Sequence, residues 1–340
     1  MKRILAVAIL HFFLVTAPSV AQTFSHYAQL TVLDEPHGLR NVGMGTTGVS
    51  DMHSRANGYY NPASLAFIDR VWFSFEYQQF AEDISADLTF TDTRLSFGHQ
   101  SSDSLASSWR VGGVLGYSTF SVDNEPFVIY LPEGAVTATD WRDYYVTAGF
   151  AACYQRDRES IAIGASLKRV ELDTFGSGSW LFDYGLLVAL TYRNNGSMIR
   201  PRIGFSSLNN DSGLDIDSTD YDIIGNWRIG AGVDLASTRS RLLGREVVIA
   251  AASIDFDRVS VDESRGPYWA IGFEGSMLEL FHLRAGYRWY EVENRTVVSI
   301  GGGASWEFAP LAVLFDYARY SPYGAGPDQD MFSAAVGVHF

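Results

Sequence analysis

Asp330-Met331-Phe332-Ser333-Ala334-Ala335-Val336-Gly337-Val338-His339-Phe340 is the stretch whose reading decides the fold. Phe332, Ala334, Val336, Val338 and Phe340 fall on one face of an extended chain, because successive side chains of a strand point to opposite sides. Met331, Ser333, Ala335, Gly337 and His339 fall on the other face and are small or polar. A water-soluble sandwich would turn the apolar face to a core. A bacterial transmembrane barrel turns it to lipid and lines its lumen with the other face.

Two observations favour the barrel. An aromatic at the final position, preceded by apolar residues at alternate positions, resembles the terminal signal read by barrel-assembly machinery, which singles out Phe332, Val336, Val338 and Phe340. The same alternation also recurs upstream. Thr296, Val298, Ile300, Gly302, Ala304 and Trp306 oppose a face holding Ser299, Ser305 and Glu307. Leu283, Ala285, Tyr287 and Trp289 oppose Arg284, Gly286, Arg288 and Tyr290. Trp227, Ile229, Ala231, Val233 and Leu235 oppose Arg228 and Asp234, and Ile161, Ile163, Ala165 and Leu167 oppose Ser166 and Lys168. Charges repeatedly fall opposite the apolar set, where they escape a cost of about 2–4 kcal/mol for each Arg or Lys at the lipid midplane.

Turn signals divide the chain into strands near 70–80, 84–99, 109–122, 141–155, 159–172, 180–193, 199–207, 226–236, 246–257, 267–276, 281–291, 295–307, 310–320 and 331–340. The count is about 14, an even number as bacterial single-chain barrels have. Asn194-Asn195-Gly196 and Glu293-Asn294 mark tight turns, since Asn and Gly accept positive φ. Stretches 123–140 and 208–225 are rich in turn formers and read as exposed loops.

Composition is consistent with this reading. The chain holds 22 Phe, 18 Tyr, 8 Trp and 32 Gly. Residues 1–21 read as a secretory signal peptide: Lys2 and Arg3, an apolar run from Ile4 to Val15, then Ser19-Val20-Ala21 as the cleavage site. Beyond it, the longest apolar run is Val247 to Ile254, far short of the roughly 20 residues a membrane helix needs. Loss of Lys2 and Arg3 would deepen the formal net charge from −14 to about −16. Such an acid excess argues against a nucleic-acid partner, which needs a basic face. Cys153 is the only cysteine, so an intramolecular disulfide and a cysteine-based zinc cluster are both excluded.

Residues 22–69 do not alternate, and they are expected to form a segment folded into the lumen of a barrel spanning 70–340. Gly43, Gly45 and Gly48 satisfy G-x-G-x-x-G, with Asp69 about 20 residues on, the spacing of a dinucleotide fingerprint. That fingerprint requires a buried strand before it and a parallel βαβ unit around it. Glu35 to Asn41 supplies no such strand, so a compact plug is the better reading, with Asn61-Pro62 opening a turn. The Gly43-Met44-Gly45 and Asn61-Pro62-Ala63 elements resemble the N-terminal signature of PorV/PorQ-like proteins, within the FadL-type outer-membrane superfamily. Leu283 to Arg288, Gly301-Gly302-Gly303, Phe315 to Ala318 and the terminal strand add to the resemblance. It departs at Asp51-Met52-His53-Ser54-Arg55, at Tyr60 and at Ser64. The family implies a 14-stranded barrel with a lumenal N-terminal segment.

No catalytic constellation is visible, and neither an enzymatic site nor a cofactor is expected. Seven histidines at 11, 26, 37, 53, 99, 282 and 339 show no pair at metal-ligand spacing. His99, Ser101 and Asp103 have the residue types of a hydrolase triad but sit near a strand end, where polar clusters are normally solvated. Arg228, Arg284, Arg288 and Asp316 are expected to face the lumen. They either pair with one another and with the plug or form a ligand or permeation site. The expected location is the bacterial outer membrane, with membrane lipid and the assembly machinery as partners. The family resemblance implies secretion of type IX kind, through secretion-system subunits or exported proteins. The alternative is a FadL-like channel for hydrophobic or other small solutes.

Overall fold

A computed structural model describes residues 27–28, 37–53, 58–79, 87–101, 107–123, 127–131, 134–138, 141–172, 177–211, 214–216, 219–223, 225–237, 239–242, 245–261, 267–292, 294–320 and 329–338. The signal-peptide expectation for 1–21 and the roles given to His339 and Phe340 lie outside the described residues.

Fourteen strands form one closed antiparallel barrel. We number them β1 (Val71–Gln79), β2 (Asp87–Ser101), β3 (Ser107–Asp123), β4 (Trp141–Arg156), β5 (Glu159–Leu172), β6 (Ser177–Leu190) and β7 (Ser197–Asp211). The second half is β8 (Asn226–Ala236), β9 (Ala250–Val261), β10 (Tyr268–Met277), β11 (Phe281–Tyr290), β12 (Arg295–Phe308), β13 (Leu311–Tyr320) and β14 (Gln329–Val338). Each pairs with its neighbours in sequence, and Val71 opposite Val338 brings β14 back onto β1. Closure leaves no unpaired strand edge, which hydrocarbon would not tolerate.

The alternation read from the sequence is the physical division of the wall. Phe332 and Val336 on β14, Val298 and Ile300 on β12, and Ile161 and Ile163 on β5 are exposed on the outside, and Leu283 reaches 74 % exposure. Their chain neighbours Met331, Ser299 and Ala162 are buried within the lumen. An apolar outside around a charged inside is the inverse of a soluble fold and places the chain in a bacterial outer membrane.

Some boundaries differ from expectation. β7 runs to Asp211 rather than ending near 207, and its pairing with β6 shifts register between Ser207 and Asn210, where Asn209 takes φ 58°. The bulge keeps this strand paired past the point where its alternation fails. The apolar run Val247 to Ile254 is split at Ile249: Arg245–Val248 pairs with Arg239–Leu242 as a separate hairpin, and β9 starts only at Ala250. The stretches expected as loops carry hairpins of their own, Phe127–Leu131 with Gly134–Ala138 and Leu214–Ile216 with Thr219–Ile223. Asn195 and Gly196 both take positive φ in a two-residue turn, as the Asn-Gly pair predicts.

The two rims differ. Asp157-Arg158, Asn195-Gly196, Leu278 to Leu280 and Ala309-Pro310 make short turns at the rim where β1 begins and β14 ends. Most of the longer connections, including those after β3 and β7, lie at the other, while the connection after β8, residues 237–249, shares the short-turn rim. By the usual arrangement of outer-membrane barrels, the short-turn rim faces the periplasm.

Candidate functional site

Residues 37–53 and 58–68 lie inside the barrel, and two short helices organise them. Leu39–Gly43, which we call α1, divides its sides: Leu39 and Val42 pack with Val259, Tyr268, Tyr290 and Met331 toward the long-loop end. Arg40 points the other way, into a cavity of about 630 Å³ that opens at the short-turn rim. Pro62–Phe67 is a 3-10 helix started by Asn61, whose carboxamide oxygen accepts from the Ala63 amide at 3.0 Å, with Pro62 at its first position. The same carboxamide donates to the carbonyls of Val49 at 2.7 Å and Leu186 at 3.0 Å, which ties both halves of the segment to β6.

Contact with the wall is close enough to dictate residue type. A Cβ added to Gly286 would stand 1.9 Å from the Gly45 nitrogen, and one added to Gly204 would stand 2.0 Å from the Val49 oxygen. Only glycine fits at these lumenal positions. Gly45 itself has φ 74° and lies against β10 and β11, so it is constrained twice.

The G-x-G-x-x-G run does meet a carboxyl group, but one from this chain. The amides of Gly48 and Val49 converge on Oδ2 of Asp257 at 2.7 and 3.1 Å, while the Gly45 amide donates to Ser299 at 2.9 Å. Paired backbone donors at a glycine turn suit a carboxylate as well as a phosphate.

A continuous ionic network joins the segment to the wall. Arg40 donates to Glu274 at 3.0 to 3.2 Å and to Asp51. Glu274 also takes Arg284, which reaches on to Asp316. On the other side of Asp51, Arg202 donates to the Ser50 carbonyl at 2.7 Å and pairs with Asp234 at 2.7 Å and Asp255 at 3.2 Å. His53 reaches Asp234 at 3.1 Å. Burial works against the charge of both Arg40 and Asp51. Asp51 and Glu274 nevertheless raise Arg40 above its ordinary value, and Arg40, His53 and Arg202 hold Asp51 below the usual carboxylate range.

Of the four charges singled out in the sequence, Arg284 and Asp316 meet in this network. Arg228 and Arg288 do not: they lie on the long-loop side of the segment, against Tyr60 and against Tyr268 and Tyr290 respectively. Sequence reading gave no role to Arg40, Asp51, Arg202, Asp255, Asp257 and Glu274. The signal available for the wall residues was a charge at lumenal parity within a strand.

A second buried cluster joins His37 to the wall. His37, Glu76 and Asp92 bring potential ligand atoms within 4.8 Å of one another, a grouping that sequence spacing hides. These groups are already used within the fold: Glu76 accepts the Gly38 amide at 3.0 Å, Asp92 pairs with Arg94 at 2.6 Å, and His37 meets the Tyr145 hydroxyl at 2.8 Å. Of the hydrolase-type residues, His99 is exposed on β2, Ser101 ends that strand and Asp103 lies outside the described residues.

No family profile and no curated sequence matches the chain. Among solved structures it is similar to the toluene transporter TodX of Pseudomonas putida, at 14 % identity over 92 % of this chain and 98 % of that one, with a TM-score of 0.45. A FadL homologue of Pseudomonas aeruginosa matches at 10 % identity over 88 % and 98 %, with a TM-score of 0.44. The β domain of the Bordetella autotransporter BrkA matches at 11 % identity over 80 % and 100 %, with a TM-score of 0.47. None of the three is a PorV/PorQ protein. At this level the likeness is one of architecture, and the chain is a 14-stranded bacterial outer-membrane β-barrel.

Proposed function

We propose that the protein is a gated outer-membrane channel for small solutes, with the lumenal residues 37–53 and 58–68 as its gate. The observation that carries this reading is how the lumenal segment is held on its open side. There, Arg40 and Glu274 line the cavity at the short-turn rim, and Asp51 pairs with Arg40 behind them. Polar contacts exchange with water at little net cost, whereas an apolar weld does not. On the β2 to β6 side the hold is tighter: Leu65, Ala66 and Ile68 sit in one apolar cluster with Val114, Ala151 and Leu187. A segment anchored by apolar packing on the β2 to β6 side, and elsewhere by the apolar contact of Leu39 and Val42 together with these polar contacts, is built as a hinged gate.

The two faces of the gate differ in chemistry. The long-loop side offers Tyr268, Tyr290, Val259 and Met331, and the short-turn side offers paired charges. A solute with an apolar body would be captured on the first side and released to the second. The secretion reading rests on the resemblance of the chain ends, and no contact in the lumen favours it, so we place it second.

Swelling of liposomes loaded with the purified protein tests the proposal. Swelling in glycerol, glucose and benzoate should be slow for the intact chain and fast after deletion of residues 37–66. Equal swelling rates for both proteins would reject the gate.

A further inference from the structure

On the long-loop side of the gate, three buried polar atoms have no hydrogen-bond partner among the described residues. They are Nη1 of Arg228, Nε of Arg288 and the hydroxyl of Tyr60. Arg228 is only 7 % exposed and Tyr60 only 2 %. The guanidinium of Arg228 lies 5.1 Å from the Tyr60 ring, that of Arg288 lies 5.4 Å from the Tyr268 ring, and Tyr268 packs on Tyr290 with centroids 5.1 Å apart. The Tyr60 hydroxyl is within electrostatic reach of Arg228, Tyr268 and Arg288 together.

Buried charges are normally paired, and elsewhere in this lumen they are: Arg94, Arg202 and Arg284 each meet a carboxylate. Arg228 and Arg288 are different. Arg228 donates from Nε to Asn226 at 2.9 Å, and Arg288 donates from Nη1 to the Tyr290 hydroxyl at 2.7 Å. The groups facing Arg288 are the phenols of Tyr290, Tyr268 and Tyr320. The acid nearest Arg228 in effect is Asp257, and its Oδ2 is committed to the amides of Gly48 and Val49. Cation–π contact with tyrosine offsets only part of the cost of burying a guanidinium. The site therefore sets two guanidiniums, each with a spare donor, and aromatic walls against one carboxyl group, Asp257, whose Oδ1 also lacks a partner among the described residues.

We propose that Arg228, Arg288 and Tyr60 form the recognition site for the carboxylate of a small organic acid, whose apolar body rests against Tyr268 and Tyr290. Guanidinium groups match a carboxylate through charge-assisted hydrogen bonds. Burial keeps the Tyr60 phenol protonated, so its O–H is available as a donor. Tyr60 belongs to the gate and Ser206 holds its carbonyl at 2.7 Å, so an occupied site would touch gate and wall at once. The inference rests on the channel reading for the solute's destination, but not for its binding.

Calorimetric titration of the full chain in detergent tests it with benzoate, its neutral isostere benzamide and inorganic phosphate. Benzoate should bind at least tenfold more tightly than benzamide. Arg228→Gln and Arg288→Gln should each erase that preference, with heat-modifiable gel migration confirming an assembled barrel in both. The comparison of benzoate with benzamide needs no variant, so it decides the matter even if the substitutions impair folding. Equal affinity for the two, no binding of benzoate, or a preference that survives both substitutions would overturn the proposal and leave only water at these donors. Phosphate binding more tightly than benzoate would overturn the carboxylate assignment. Loss of benzoate binding with gate-dependent swelling intact would sink this inference alone. Binding without gate-dependent swelling would sink the channel reading alone.

Discussion

Replacing Arg40 with Met should open the barrel. Arg40, itself on the gate, carries the ion pair to Glu274 on the wall, and among the described residues it is the side chain that meets both Glu274 and its gate neighbour Asp51. Breaking a buried pair by removing one partner costs about 3–5 kcal/mol when the remaining charge is stranded. Here the carboxylates keep other partners: Glu274 retains Arg284, and Asp51 retains the His53 amide at 2.8 Å and the Asn41 carboxamide at 3.3 Å. The lower end, about 3 kcal/mol, is therefore the better figure. At 1.4 kcal/mol for each factor of ten, it raises the open-to-closed ratio on the order of 10²-fold. Single-channel recording in a planar bilayer reads that ratio directly as open probability. Arg40→Lys should fall between wild type and Arg40→Met, because lysine keeps the charge but not the fork that reaches both acids. An assembled Arg40→Met barrel with wild-type open probability would refute the reasoning and shift the closure to apolar packing around Leu39 and Val42.

Other expectations follow from the same contacts. Gly286→Val places atoms where the Gly45 backbone now lies, so the barrel should assemble while conductance and protease access to residues 37–53 both rise; an unchanged closed channel would contradict the close approach. Acid should remove the contribution of Asp51 only late. Asp51 has a folded pKa below its unfolded value, so its contribution is complete above about pH 4 and is lost as pH falls through the lower folded value. The difference in open probability between the intact chain and Asp51→Asn should thus be constant from about pH 8 to pH 4 and shrink only in stronger acid, and a difference that changes near neutrality would argue against this pair. The purified protein should give an almost wholly β circular dichroism spectrum and migrate differently before and after boiling. Phe332→Arg on the lipid face should impair assembly by about 2–4 kcal/mol if it lies near the midplane, whereas Ser333→Ala on the lumenal face should be mild.

The barrel was legible because lipid and lumen impose opposite chemistry on neighbouring residues. A period of two survives in almost every strand, from Ile161 to Leu167 and from Thr296 to Trp306. It weakens in β7, where Pro201 removes a ladder donor and Asn209 forms a bulge, and there the expected end fell short by four residues. It misled at Val247 to Ile254, because a hairpin and a strand can share one apolar run when the break between them is itself apolar. The lumenal network was only partly visible. Arg284 and Asp316 could be placed by parity, but their pairing crosses from β11 to β13, and Arg40 finds Glu274 across 234 residues of sequence. Such contacts arise only when the sheet closes and the N-terminal segment enters it. Local pattern does not encode them.

The most direct test of the account is the single-channel conductance of two proteins compared side by side: the intact chain and a chain lacking residues 37–66. The account predicts a low, flickering conductance for the first and a steady, several-fold larger one for the second, with both assembled by gel migration. An intact protein that is already wide open, or a deleted one that stays closed, would contradict it.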